Sequence, residues 1–244
     1  MKSVAVFSVK GGVGKTAIAV NLAYAAATQS ARRTLLWDLD AQGAATYVLK
    51  LAPKGGAVAR KLFGRDPELA ALIQPSAWAG LDVLAADKSL RSLEGQLAGD
   101  DKAKRLRKML KDLGDDYDRI IIDCPPGLGA LSEQVFRAVD LLVVPMLPSP
   151  LSVRATEQLT EHLQRQHDGK PDVVPVFSMV DSRRALHRAL VEASPGQAAI
   201  PYASAVEGMA VHRSPIAART PSAPAARAFT ALWAEVERRL LSQG

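Results

Sequence analysis

The run Val4-Ala5-Val6-Phe7-Ser8-Val9-Lys10-Gly11-Gly12-Val13-Gly14-Lys15-Thr16 constrains this chain more than any other segment. Apolar, β-branched residues enter a glycine-rich turn, and an alanine-rich helical pattern leaves it from Ala17 to Ala27. Strand, glycine turn and helix in that order, closing on G-x-x-G-K-T, predict a phosphate-binding loop. Glycines let backbone N–H groups turn inward around a polyphosphate, and the helix N-terminus adds its positive dipole end. In such a loop Gly11, Gly12, Val13, Gly14 and Ala17 surround the phosphates, and Lys15 reaches the outer ones. The Thr16 hydroxyl is then a candidate ligand for Mg2+. Lys10 is a second lysine at the start of the loop. A lone loop lysine is ordinarily a solvated surface group; beside an intact phosphate loop, Lys10 is a candidate for nucleotide chemistry.

Apolar runs at 3–9, 34–39, 81–85, 118–123, 140–146 and 173–180 alternate with helical patterns. Their continuous rather than alternating apolar character predicts strands buried on both faces. The expected fold is α/β: a doubly wound, mostly parallel β-sheet flanked by helices, the P-loop NTPase fold. With 244 residues, 48% of them hydrophobic, the chain can bury one large core, and 1–244 reads as a single domain. The Gly-, Pro- and Lys/Arg-rich region 52–67 reads as an exposed connection. Pro195, Pro201, Pro215, Pro221 and Pro224 predict mostly loop over 194–224, before a closing helix at 225–241 with an apolar stripe of Ala228, Leu232, Val236 and Leu240. A helix at 101–113 carries Ala103, Leu106, Met109, Leu110 and Leu113 on one face. Lys102, Lys104, Arg105, Arg107, Lys108 and Lys111 fill the rest, and this reads as a solvated basic face, with a nucleic-acid or cargo contact as the alternative.

Composition removes several function classes. One cysteine, Cys124, cannot make a disulfide within the chain or a cluster site of several thiolates. Leu141 to Leu147 is the longest apolar candidate, far short of the roughly 18 residues of a membrane span, and Pro145 marks it as a buried strand. Met1-Lys2-Ser3 leads directly into the first strand, so no signal peptide is expected and the cytoplasm is the expected location. A net charge of +6 favours an anionic partner, either nucleic acid or an acidic membrane surface.

Two acidic motifs complete a triphosphate-hydrolysing set. In Trp37-Asp38-Leu39-Asp40-Ala41-Gln42-Gly43, strand alternation puts Asp38 and Asp40 on one side at the carboxyl end of a parallel strand, where such sheets bind ligands. One can hold a magnesium-bound water while the other orients the attacking water. In Ile120-Ile121-Ile122-Asp123, an aspartate closes a β-branched strand, as the magnesium contact of phosphate-loop enzymes does. Gly127 and Gly129 then allow a mobile loop able to sense the γ-phosphate. No Asn-Lys-x-Asp guanine-reading motif follows, since Pro148-Ser149-Pro150 and Ser178-Met179-Val180-Asp181 stand at the candidate places. ATP is therefore favoured over GTP, with Met179, Pro201 and Tyr202 bordering the adenine.

Lys-Gly-Gly-Val-Gly-Lys-Thr, Asp-Leu-Asp-x-Gln-Gly and Ile-Ile-Ile-Asp-x-Pro-Pro together resemble the deviant Walker A ATPases of the ParA/MinD superfamily, over nearly the whole chain. The resemblance implies an ATP- and Mg2+-dependent homodimer that closes face to face around two nucleotides. It implies that Lys10 reaches the partner's phosphates, that Lys15, Thr16, Asp38 and Asp123 serve their own nucleotide, and that Asp40 supports hydrolysis. It further implies non-specific DNA binding on the nucleoid, with hydrolysis stimulated by a ParB-like or cargo-adaptor protein. Two departures bear on this. The family often has Asp-Pro-Gln-Gly-Asn where this chain has Asp40-Ala41-Gln42-Gly43-Ala44, and often an arginine after Ile-Pro where this chain has Tyr202. Substitute DNA contacts are Arg183, Arg184 and Arg188, with Arg213, Arg219 and Arg227 in the late loops, acting through phosphates without sequence preference. Because the chain starts at the first strand, no sequence-reading DNA domain is expected ahead of it. The alternatives are a MinD-like membrane-associated positioning ATPase and a metal-cluster carrier of the same superfamily. The first lacks a bulky apolar basic tail in Glu235 to Gly244, and the second lacks paired cysteines.

Overall fold

A computed structural model describes residues 1–54, 69–92 and 105–243. Its strands are β1 (Lys2–Val6), β2 (Thr34–Asp38), β3 (Ile73–Pro75), β4 (Leu81–Leu84), β5 (Arg119–Asp123), β6 (Leu141–Met146), β7 (Asp172–Val180) and β8 (Ala198–Pro201). They form one sheet in the order β3-β4-β2-β5-β1-β6-β7-β8, and β3 alone is antiparallel to its neighbour. The helices are α1 (Lys15–Gln29), α2 (Ala44–Val48), α3 (Leu69–Leu72), α4 (Arg105–Asp112), α5 (Ala130–Ala138), α6 (Pro150–Gln166), α7 (Ala185–Glu192), α8 (Ser204–His212) and α9 (Pro224–Ser242).

Strand alternation divides the core. Ala5, Leu35, Trp37, Ile120, Ile122, Leu142 and Val144 face Leu106, Met109, Val135, Phe136 and Leu159 of α4, α5 and α6. Val4, Val6, Leu36, Ile121, Leu141 and Val143 face Ile18 and Leu22 of α1 and Phe229, Leu232 and Trp233 of α9. The continuous apolar runs are therefore strands covered on both faces, as expected of a parallel sheet. Register then aligns the carboxyl ends of the three central strands: Val6 pairs with Asp123, and Asp123 with Asp38. Pro145 is tolerated within β6 because the pairing with β1 has already ended at Val6–Val143.

At the opposite end of β5, Arg119 is buried and its guanidinium donates to both carboxylate oxygens of Glu237 on α9, each at 2.7 Å. Arg32 adds a third donor at 3.0 Å. This bidentate pair fastens the closing helix to the sheet.

The expected and observed elements differ in detail. Residues 194–224 are mostly loop, as expected, but β8 and α8 are set within them. The prolines punctuate these elements instead of preventing them, Pro195 standing before β8 and Pro201 ending it on the sheet edge. The short antiparallel β3 has no counterpart in the apolar runs read from the sequence. The basic helix is seen from Arg105 to Asp112, with Leu106, Met109 and Leu110 buried and Arg107, Lys108 and Lys111 exposed, in keeping with a solvated face. Lys102, Ala103, Lys104 and most of 52–67 lie outside the described residues.

Candidate functional site

The glycine loop joins the end of β1 to α1 at the centre of the sheet's carboxyl edge. Gly14 caps α1 with φ of 85°, and a Cβ there would lie 3.0 Å from Ser178 Oγ on β7. Glycine is required at that position both by conformation and by the closeness of the neighbouring strand. No side chain caps the first turn of α1 and no acidic residue stands in it, so its N–H groups remain open to an anion. Gly11 and Gly12 are exposed, and Val13 is buried beneath them. Thr16 and Ala17 are half-buried on the first turn.

Lys15 is only 7% exposed, and among the described residues its ammonium has no hydrogen-bond partner. Lys10 is exposed, with its backbone N–H donating to Ser8 Oγ at 3.4 Å. It borders a hollow walled by Val13, Met146, Ser152 and Thr156, and its ammonium also has no partner among the described residues.

The three aspartates meet opposite the loop, each in a different setting. Asp38 is buried, and one of its oxygens accepts from the Thr46 N–H at 2.8 Å and the Thr46 hydroxyl at 2.7 Å. Its other oxygen accepts from the Asp40 N–H at 3.3 Å. Burial pushes the Asp38 carboxyl up to about 6, and the Thr46 hydrogen bonds pull against that rise. Thr46 Oγ1 also accepts from the Ala86 N–H at 3.0 Å, so the Asp38 carboxylate holds α2 and the end of β4 together. Sequence reading missed Thr46, because a threonine eight residues downstream of an aspartate carries no signal of the contact.

Asp40 is half-buried in the β2–α2 turn, accepting from the Gln42 N–H at 2.9 Å. The Asp40 carbonyl accepts from the Gly43 N–H at 2.9 Å, so the turn closes with Ala41 in place of the family's proline. Asp123 is 0% exposed and, among the described residues, neither carboxylate oxygen has a hydrogen bond of normal geometry, although the Thr16 hydroxyl is near enough to act on its charge. Burial, and next the Asp38 charge, raise the Asp123 carboxyl well above its usual range, while Thr16 and Lys15 pull the other way. An orphaned buried carboxylate is unstable unless something cationic or protic completes it. A Mg2+ ion with its waters fits that need: Asp123, Asp38 and the Thr16 hydroxyl would offer the oxygen ligands that this hard cation takes.

Pro201 and Tyr202 line a cleft of about 310 Å³ with Val180, Asp181, Ser182, Arg183 and Ala199. Met179 is absent from that lining; it has φ of 57° at an irregularity in the β7–β8 pairing and its Cε lies against Gly14. Tyr202 is exposed and its hydroxyl donates to Glu207 at 2.7 Å.

The six arginines do not form one set. Arg183 is committed to Asp181 by two side-chain bonds of 2.9 Å, which hold the Asp181 carboxyl down at about 2. Arg188 donates to the Ser182 carbonyl at 2.7 Å. Arg213 donates to the Tyr47 carbonyl at 2.8 Å with its guanidinium 4.5 Å over the Tyr47 ring, and Arg227 bonds the Ser222 carbonyl. Arg184 and Arg219 are exposed and, among the described residues, make no side-chain hydrogen bond or ion pair. No helix among the described residues is long and apolar enough to cross a membrane.

Comparison with known proteins places this geometry. Residues 1–173 match the family model described as an AAA domain. The chain is 35% identical over 190 residues to the chromosome partitioning protein ParA of Myxococcus xanthus, covering 75% of this chain and 66% of that protein. It is 31% identical over 197 residues to the sporulation initiation inhibitor protein Soj of Bacillus subtilis, covering 78% of each. In three dimensions it superposes on the septum site-determining protein MinD of Pyrococcus horikoshii, solved with Mg-ADP. The TM-score there is 0.79 at 21% identity, over 96% of this chain and 95% of that one.

Proposed function

We propose a function from one premise: the chain belongs to the ParA/MinD superfamily of P-loop ATPases. In this reading it is a positioning ATPase that converts ATP and water to ADP and phosphate, slowly when alone. Two ATP-bound copies close on each other, bind DNA without sequence preference, and separate when a partner protein stimulates hydrolysis. The cargo is a plasmid, a chromosome or another cytoplasmic body, and the nucleoid is the working location.

The observation that carries the reading is the fully buried Asp123 carboxylate beside the uncapped N-terminus of α1, whose buried Lys15 and half-buried Thr16 both favour its charged form. Thr16, Asp38 and Asp123 are the residues that would hold Mg2+, which when bound neutralises charge on the phosphate oxygens. The loop N–H groups and Lys15 bind and orient the triphosphate. Asp40, half-buried with one oxygen engaged by Gln42, orients the attacking water. Lys10, exposed and without a partner for its ammonium among the described residues, supplies its positive charge to the phosphates of the second copy, where charge grows as the bond breaks. Pro201 and Tyr202 border the adenine, while Met179 acts behind Gly14. Arg184 and Arg219, exposed and without a side-chain partner among the described residues, are the leading DNA contacts. A membrane cycle is less well supported, because Glu235 pairs with Arg238 and Arg239 and Leu240 is buried, leaving Leu241 as the large apolar group exposed on the last turn.

The test is DNA retention with ATP, with ADP and without nucleotide, across a salt series. Retention that needs ATP, falls with salt and ignores sequence agrees with the proposal. Equal retention in all three states, or sedimentation with anionic liposomes and no DNA retention, contradicts it.

A further inference from the structure

The chain has four histidines, and two of them converge on a single glutamate outside the nucleotide site. Glu133 lies in the first turn of α5; one carboxylate oxygen is 2.8 Å from His162 Nε2 and the other 2.9 Å from His167 Nε2. His162 is on α6 and His167 is its C-cap. Five residues apart on a continuous helix, two side chains would diverge by roughly 140°. Here the helix ends at Gln166, and His167, with φ of −134°, leaves it so that the two ring centroids stand 5.8 Å apart. We propose that Glu133, His162 and His167 form a binding site for a divalent transition-metal ion of the zinc class.

Four observations support this. The three ligand atoms all lie within 4.8 Å of one another. Tetrahedral coordination at about 2.0–2.1 Å asks for ligand atoms about 3.3 Å apart, so the Nε2–carboxylate distances of 2.8 and 2.9 Å need only a small opening to admit an ion. The donor set, two imidazoles and a carboxylate, is the chemistry that zinc and its neighbours prefer, whereas Mg2+ prefers oxygen alone. The site is closed beneath and open above: the Phe136 ring stands edge-on to both imidazoles at 5.9 and 6.5 Å, the His167 side chain is 5% exposed and the His162 side chain 37%. Apolar backing of this kind lowers the local dielectric and strengthens metal–ligand attraction. Three protein ligands with one open side leave a coordination position for water or for a residue of another molecule.

Without metal, an ionised carboxylate can only accept, so each imidazole donates its Nε2–H to Glu133. On binding, each Nε2 instead presents its lone pair to the ion, and the displaced proton leaves to solvent or moves to Nδ1. The ion thus replaces a weak three-residue clamp by a strong one between α5 and the end of α6. Because α5 begins directly after the Gly127–Gly129 loop, the site fixes the element on which that loop is anchored.

Isothermal titration of ZnCl2 into the full chain, free of nucleotide and Mg2+, tests the proposal. One saturable site per chain is expected, weakened at least tenfold in His162→Ala and in Glu133→Gln and retained in His212→Ala, which removes an exposed histidine of α8. Cobalt(II) added to the wild-type protein gives an independent readout that needs no variant: intense visible d–d absorption of a four- or five-coordinate ion is expected, and zinc should abolish it. Absence of saturable zinc binding, cobalt that stays six-coordinate, or affinity unchanged in folded His162→Ala would each overturn the site and leave Glu133 as an ion-pair clamp only.

Discussion

The strand β5 carries a buried charge at each end, and the two ends are built on opposite principles. At its start, Arg119 is matched by the bidentate Glu237 carboxylate and supported by Arg32, so each charge is answered within the fold. At its finish, Asp123 is fully buried with no hydrogen bond of normal geometry among the described residues, beside a second buried carboxylate and a buried lysine. Replacing a buried paired charge leaves its partner uncompensated, whereas replacing an unpaired one relieves strain. The foot of the sheet is thus completed by the chain itself, and the carboxyl edge leaves a buried carboxylate that the proposed magnesium–nucleotide unit would complete.

The sharpest way to break this contrast is a pair of substitutions on the same strand and its partner. Glu237→Ala should destabilise the protein by about 3–5 kcal/mol, because Arg119 is left buried without its carboxylate, keeping only the Asp118 carbonyl as acceptor. Asp123→Asn should leave stability unchanged or raise it by about 1–3 kcal/mol in the absence of nucleotide, while abolishing Mg2+-dependent hydrolysis. Urea denaturation of both variants checks the pair, and equal destabilisation would refute the contrast.

Acidity supplies the next largest effect. The Asp38 carboxyl is raised from 3.8 to about 6, so between those values the folded state holds more protons than the unfolded one. Stability must then fall as pH rises through that window, with Asp38 contributing about 3 kcal/mol. Denaturation midpoints at the two ends of the window should differ in that sense for the wild type, and by less for Asp38→Asn. A wild-type midpoint that climbs steadily with pH, unaltered by the substitution, would contradict the assignment.

A smaller loss, about 1–3 kcal/mol, is expected for Thr46→Val, which removes a donor from Asp38 and the acceptor of the Ala86 N–H. The smallest effect concerns DNA. Arg184→Ala and Arg219→Ala should each lower the salt dependence of retention by a slope of about 1 without changing stability, whereas Arg183→Ala should do less, its charge being answered by Asp181.

The carboxyl edge was largely legible in the sequence because its parts are local. Loop glycines, Lys15 and Thr16 are contiguous, and Asp38 and Asp123 each close an apolar run that sheet register then aligns. What could not be read depends on distant partners: Arg119 with Glu237 across 118 residues, and Glu133 with His162 and His167 across 29 and 34. The β8–α8 segment was hidden differently, since its prolines carry a loop signal that the flanking strand β7 overrides by pairing. The arginines were visible as charges, but which of them are neutralised locally depends on Asp181, Tyr47 and Ser222, and only the fold reveals that.

Nucleotide titration of wild type and Asp123→Asn, each with Mg2+ and with chelator, tests the central claim most directly, using a non-hydrolysable ATP analogue. If the buried carboxylate is completed by the magnesium–triphosphate unit, Mg2+ should tighten wild-type binding and the variant should lose about 10–100-fold of that gain. An identical gain in both proteins would mean that Asp123 is an unpaired group with no part in receiving the ion.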